Sequence, residues 1–294
     1  MSGSLLVLIA TIALAFKGII ASLIFQYGLG VSELVTLRFV ISAPFFLLFC
    51  LLSWSQRSHI QRQDIPGLAA LSTLFFVGTY ADAVSVKYLG AGLSRMILFL
   101  FPLFIMIYDA FRVHQIPSWE KLAVFSIAYL GIGLMILGPG LQSLTQETWI
   151  GVACGLTSAL TYATFLRLNQ HMLKSVRPQA INAQVALVAS VMMLTLEGQS
   201  LDLSPMNGEV WALIILLAIA ATVIPFWLML EGMRRTTAGH ASLIAMVGPA
   251  ITMTAAMVIL NEQFSLIQWV GFALIMVGMG VLQWPSQRAK SASP

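Results

Sequence analysis

Apolar residues run through this chain in long blocks, separated by short gaps that hold most of its charge. A helix rises about 1.5 Å per residue and the hydrocarbon core of a bilayer is about 30 Å thick, so a run of roughly 17–25 apolar residues is enough to cross it. Ten such runs are present, at 4–25, 33–54, 66–87, 91–111, 119–139, 149–168, 179–197, 209–232, 239–260 and 266–284. Backbone N–H and C=O groups inside lipid must pair within their own segment, so runs of this length predict helices. The expected fold class is therefore an all-α membrane protein with ten transmembrane helices.

Composition agrees: 59% of the residues are hydrophobic and 9% charged, at a mean hydropathy of +0.91. Soluble domains carry about 25% charged residues. The net charge of +4 does not point to nucleic acid, because the basic residues sit in the gaps between apolar runs and form no clustered face. They are better read as loop charges that set orientation. If the chain crosses ten times from the N-terminal side, eleven basic residues, from Arg57 and Arg62 to Arg288 and Lys290, fall on that side. Only Lys87 and Arg95 fall on the other. The positive-inside rule then predicts that both termini are cytoplasmic. Glu33, Glu147, Glu197, Asp202, Glu209 and Glu262 gather on the opposite side. The N-terminal stretch lacks the basic region of a signal peptide and is expected to be a retained first span. Cys50 and Cys154 lie near opposite membrane faces, too far apart in depth for a disulfide.

The chain also repeats. Shifting the second half by 147 residues without a gap places Ala91-Gly92 on Ala238-Gly239, Pro102 on Pro249, Ser118 on Ser265, Gly131 on Gly278 and Gly133 on Gly280. Tyr80 meets Trp227 and Lys87 meets Arg234 in the same register. The expected organisation is a first five-helix repeat over 1–140, a second over 141–285, and a cytoplasmic tail over 286–294. Five is odd, so the second repeat inserts upside down relative to the first, and a site is expected between the halves.

The fourth and ninth runs carry a small-residue start and a mid-run proline, and the second copy ends on Asn261-Glu262. With Arg38 early in the second run, this pattern resembles the drug/metabolite transporter superfamily, in particular its ten-helix EamA-type permeases. The resemblance extends from about Leu5 to Trp284. One departure is Lys17-Gly18, where the family usually has Trp-Gly. The first copy also has His114-Gln115 in place of Asn261-Glu262. The resemblance implies a transporter of amino acids or other metabolites, often an exporter, with spans one, three, four, six, eight and nine lining a central cavity. On that basis Tyr80, Tyr162 and Trp227 are candidate lining residues.

Ionisable groups inside a membrane are costly and usually functional, so they are the first candidates for substrate binding or coupling. From the helix rise, Lys17 lies roughly 20 Å and Asp82 roughly 24 Å from the cytoplasmic edge, while Arg38 and Arg95 lie roughly 8 and 6 Å below the outer edge. All four fall in one slab. Arg38 and Arg95 are long enough to snorkel to the headgroups; Asp82 is not, and is expected to pair with Lys17. Asp82 and Arg95 align with Met229 and Ser242, so the repeated architecture does not require these charges. Pro102 and Pro249 are candidate hinges, because a mid-helix proline removes a backbone hydrogen bond.

His59, His114, His171 and His240 all lie at cytoplasmic flanks, and Asp82 is the only acid deep within a run. Neither a Ser–His pair nor an aspartyl dyad is therefore expected inside the membrane. No phosphate-binding Gly-rich loop precedes a Lys-Ser/Thr. The expectation is a multi-pass protein of the bacterial cytoplasmic membrane that is not an enzyme, uses no metal or cofactor, and works as a monomer. Its partners are a small-molecule substrate and lipid, not nucleic acid. The expected activity is secondary transport of an amino acid or other carboxylate-bearing solute. A channel-like facilitator and a non-transporting receptor or assembly protein are the alternatives.

Overall fold

The computed structural model describes residues 2–52, 61–113, 119–138, 145–173, 175–198, 201–235, 244 and 247–291. Among them the regular structure is entirely helical: α1 (Gly3–Gln26), α2 (Val31–Leu52), α3 (Ile65–Leu98), α4 (Phe101–Val113), α5 (Trp119–Leu137), α6 (Gln146–Met172), α7 (Pro178–Glu197), α8 (Gly208–Ala218), α9 (Ile224–Arg235), α10 (Val247–Ile259) and α11 (Leu266–Ser291). Among the described residues six helices are long and apolar enough to cross a membrane, and three shorter apolar ones accompany them. Polar caps mark several starts. Ser2 accepts from the Leu5 amide, Thr145 forms a capping box with Thr148, and Asn207 accepts from the Val210 amide at 2.9 Å.

The interior departs from uninterrupted helices in two places. The expected separate runs 66–87 and 91–111 are joined differently. α3 passes through both, with a break at Gly90 (φ 78°, ψ 173°), and the chain leaves the helix again at Phe99–Leu100 before α4 begins. Glycine suits the first break because its φ lies where other residues strain. Pro102 is therefore not in the middle of a helix, as a mid-helix hinge would be. It sits in the first turn of α4, where its missing N–H costs nothing. Pro249 likewise falls in the first turn of the described part of α10. The second interruption is a π-helical turn, Ile219–Val223, joining α8 to α9. Pro225 follows it and cannot donate to the Ala221 carbonyl, which loosens the preceding turn.

At the C-terminus, α11 runs to Ser291, past the expected end of the last span. The small-residue start of the ninth run (Ala238, Gly239, His240, Ala241, Ser242), together with His59, His114-Gln115 and Ser118, lies outside the described residues.

Helices pack in pairs across the two halves of the sequence: α3 on α6, α5 on α11, α2 on α7, α1 on α9, α1 on α10, and α4 on α6. Small residues permit the close approaches. A Cβ on Gly131 of α5 would stand 2.6 Å from the Gly271 carbonyl oxygen of α11, so these backbones touch. One apolar core joins α1, α2, α3, α7 and α8 around Ile24, Phe39 and Ile214. A second joins the end of α3 to α4, α5, α6 and α11 around Met96, Leu103 and Met135.

Candidate functional site

Between the two halves lies a cavity of about 250 Å³, lined from α1, α2, α3, α4, α6, α9 and α10. This is near the small end of the roughly 300–1,000 Å³ typical of ligand sites. Its walls are largely aromatic and aliphatic, including Phe75, Phe101, Phe165, Phe226 and Met229, and its polar end carries Lys17, Arg38, Asp82 and Arg95.

Asp82 projects from α3 and is only 4% exposed. Lys17 Nζ of α1 stands 2.8 Å from its Oδ2, and Arg95 Nη2, from beyond the Gly90 break, stands 2.5 Å from its Oδ1. The expected Lys17–Asp82 pair is thus part of a three-residue cluster in which each carboxylate oxygen has its own cation. Arg95 turns inward at 7% exposure and does not snorkel. Gly18, beside Lys17, packs against Ala91 and Arg95 at a distance where a Cβ would make only ordinary contact, 3.5 Å from the Ala91 Cβ and Arg95 Nε.

Arg38 is held separately. It is 3% exposed, and its Nε donates to Thr222 Oγ1 at 3.0 Å, while Thr222 donates in turn to the Leu217 carbonyl at 2.8 Å. The π-turn aims that hydroxyl, and such turns often accompany functional sites. Among the described residues no carboxylate lies within ion-pair distance of Arg38, on which Asp82 acts only through space, and its two terminal nitrogens have no hydrogen-bond acceptor. Among the described residues lining the cavity, cations outnumber acids by three to one. An uncompensated charge in such a place is expensive, so it favours an anionic occupant.

Hydroxyl groups tie the cavity walls across the two halves. Ser158 of α6 donates to the Gly78 carbonyl of α3, and Thr252 of α10 to the Ala15 carbonyl of α1. Tyr162 lines the cavity, its ring set edge-on to Phe101 at 4.9 Å, and so does Pro249. Tyr80, Trp227 and Pro102 do not line it. Tyr80 faces the apolar core, with its hydroxyl 3.3 Å from Ser32 Oγ. Trp227 is 49% exposed and stacks on Phe49 at the surface. A helix presents one face to the cavity, and two residues before Asp82 lies a different face.

Two positions that the structure ties into the site and its rim were not among the candidate site residues. Thr222 looks like any threonine in an apolar run, except that a proline follows three residues later. Glu262 is read in the sequence as an outer acid and as part of the Asn261-Glu262 pattern, and neither reading says what it binds. Its Oε1 accepts from the Ala91 amide at 2.8 Å and its Oε2 from the Gly92 amide at 3.2 Å, capping the helix restarted after Gly90. Two further carboxylate ties join the halves at other helix ends: Tyr27 Oη donates to Glu209 Oε2 at 2.7 Å, and the Asp202 amide to Glu33 Oε1 at 3.1 Å.

Long apolar helices packed around a small charged cavity make this a multi-pass membrane protein. The sequence matches the EamA-like transporter family in two segments, residues 1–137 and 149–283, and the chain belongs to that family. It is similar to the uncharacterized transporter YcbK of Bacillus subtilis, with 28% identity over 92% of this chain and 89% of that one. An uncharacterized transporter of Archaeoglobus fulgidus is 22% identical over 92% and 93% of the two chains. A solved crystal structure superposes with a TM-score of 0.69 over 99% of both chains at 16% identity, and shares this fold.

Proposed function

We propose that this chain is a secondary transporter of the cell membrane that moves a small carboxylate-bearing solute, an amino acid or organic acid, by alternating access between two inverted five-helix halves. The observation that carries the reading is Arg38. A guanidinium never loses its charge, and this one is buried against a cavity with its planar fork unpaired, the geometry suited to a carboxylate.

The packing supports two equivalent halves. Exchanging α1 with α6, α2 with α7, α3 with α8–α9, α4 with α10 and α5 with α11 maps the pair α3–α6 onto α9–α1, and α4–α6 onto α10–α1. The pairs α2–α7 and α5–α11 map onto themselves. That is the behaviour of a two-fold axis, and the family match in two segments fits it. Ten crossings with both termini cytoplasmic complete the reading, on the strength of the basic asymmetry. Opening toward the outside breaks the carboxylate ties of Glu33, Glu209 and Glu262, while the cavity charges stay in place.

The purified protein in proteoliposomes tests this. Saturable uptake of a radiolabelled carboxylate, accelerated by the same solute on the far side and lost in Arg38→Gln, is the expected result. Flux without saturation or exchange would indicate a channel. No flux of any carboxylate, from protein that is folded in detergent, would overturn the reading. A C-terminal reporter active outside the cell would overturn the orientation.

A further inference from the structure

The cavity offers a substrate unequal accommodation for its two possible charges. An α-amino acid carries an ammonium beside its carboxylate, and a buried ammonium needs an anionic or multiple neutral acceptor. Among the described residues lining the cavity, Asp82 is the only carboxylate. Both its oxygens are occupied, one by Lys17 and one by Arg95. An arriving ammonium would have to share them and would enter the field of three cations. The hydroxyls of Ser158, Thr252 and Thr11 donate to main-chain carbonyls and keep lone pairs that an ammonium could use, but being neutral they leave its charge unmatched in the field of three cations.

The carboxylate meets the opposite conditions, since Arg38 is fixed at Nε and unpaired at its fork. The rest of the lining is apolar, with Phe75, Phe101, Phe165 and Phe226 on several sides. From this geometry we propose that the substrate is an amine-free monocarboxylate with an aromatic or branched apolar body. Its carboxylate sits on Arg38 and its body among the phenylalanines. One free fork sets one carboxylate, because a second would have to displace Asp82 from Arg95 or Lys17.

The inference rests on the carboxylate reading above, and matched probes separate the two. 3-Phenylpropanoate and L-phenylalanine differ only by the α-ammonium, and 2-phenylethylamine keeps the amine without the acid. Binding to the full-length protein is read from the thermal midpoint in detergent and from competition for uptake in proteoliposomes. The expected order is phenylpropanoate ahead of phenylalanine by about tenfold or more in apparent affinity, with no effect of phenylethylamine. The pair 4-methylpentanoate and L-leucine should repeat it. Phenylalanine or leucine binding as well as or better than its amine-free partner would overturn the inference and leave the carboxylate reading standing. Failure of both acids and both amino acids to bind would overturn both. In Arg38→Gln the advantage of phenylpropanoate should disappear while the thermal midpoint without ligand stays within a few degrees; an advantage retained in that variant would move the carboxylate off Arg38 and overturn the assignment.

Discussion

Replacing Asp82 by asparagine removes the carboxylate that faces both Lys17 and Arg95, and leaves three cations around one cavity. At the observed 2.8 Å, the Lys17–Asp82 attraction amounts to about 6 kcal/mol for an effective dielectric of about 20. Desolvation of each ion opposes it by several kcal/mol, so the net effect of stranding a partner is about 3–5 kcal/mol. Lys17→Met should behave differently. It leaves Asp82 paired with Arg95, so the loss is that of one hydrogen bond to a charged group, about 1.5–3 kcal/mol. The double variant removes one of the two stranded cations and should be less damaging than the sum of the singles, with a coupling of about 1–3 kcal/mol. Thermal unfolding in detergent reads this directly. At about 2–4 °C per kcal/mol, Asp82→Asn should lower the midpoint by about 6 °C or more, and Lys17→Met by less. Equal losses in the two single variants, adding without coupling, would refute the shared-carboxylate cluster.

Thr222→Val keeps the shape of the side chain but removes the acceptor for Arg38 Nε, and should reduce transport about tenfold with little change in folded yield. Thr222→Ser should restore transport; a Thr222→Val protein as active as the parent would separate the π-turn from the site. Glu262→Ala uncaps the helix restarted at Ala91 and should cost about 1–2 kcal/mol of thermal stability, with Glu262→Gln retaining part of it. Gly90→Ala forces a side chain into a positive φ, with its Cβ 2.6 Å from Glu262 Oε1, and should also cost about 1–2 kcal/mol. The hydrogen bond to Glu209, reinforced by that carboxylate's charge, raises the titration of Tyr27 above the ordinary phenol range. Because the folded value is the raised one, the contribution of this bond is complete below about pH 10 and is lost as pH rises through the folded value. Phenolate absorbance should show the late titration, and Glu209→Gln should bring it back.

Much of the architecture was legible along the chain, because lipid acts on each segment separately. Every run long enough to cross must satisfy its own backbone, so the hydrophobic blocks mark the helices without reference to their neighbours. Charge cost works the same way. Lys17, Arg38, Asp82 and Arg95 stood out because an ionisable residue in an apolar run is anomalous wherever it lands, and the helix rise already put them at one depth. Depth, however, is a coordinate along the membrane normal. Which face of a helix looks inward depends on how the helices rotate against each other.

The tertiary structure decided that remainder. Tyr80 and Asp82 are two residues apart on α3, yet one faces a core and the other the cavity. Trp227 aligns with Tyr80 in the repeat and lies at the surface. Arg38 and Thr222 are 184 residues apart and meet only because a π-turn redirects one side chain. Glu262 reaches the amides of Ala91 and Gly92 across 170 or more residues because Gly90 opens the helix at that point. Segment by segment, hydrophobicity determines what crosses the membrane. Partners, facing and the breaks that create a site belong to contacts between distant segments, and those exist only once the helices have packed.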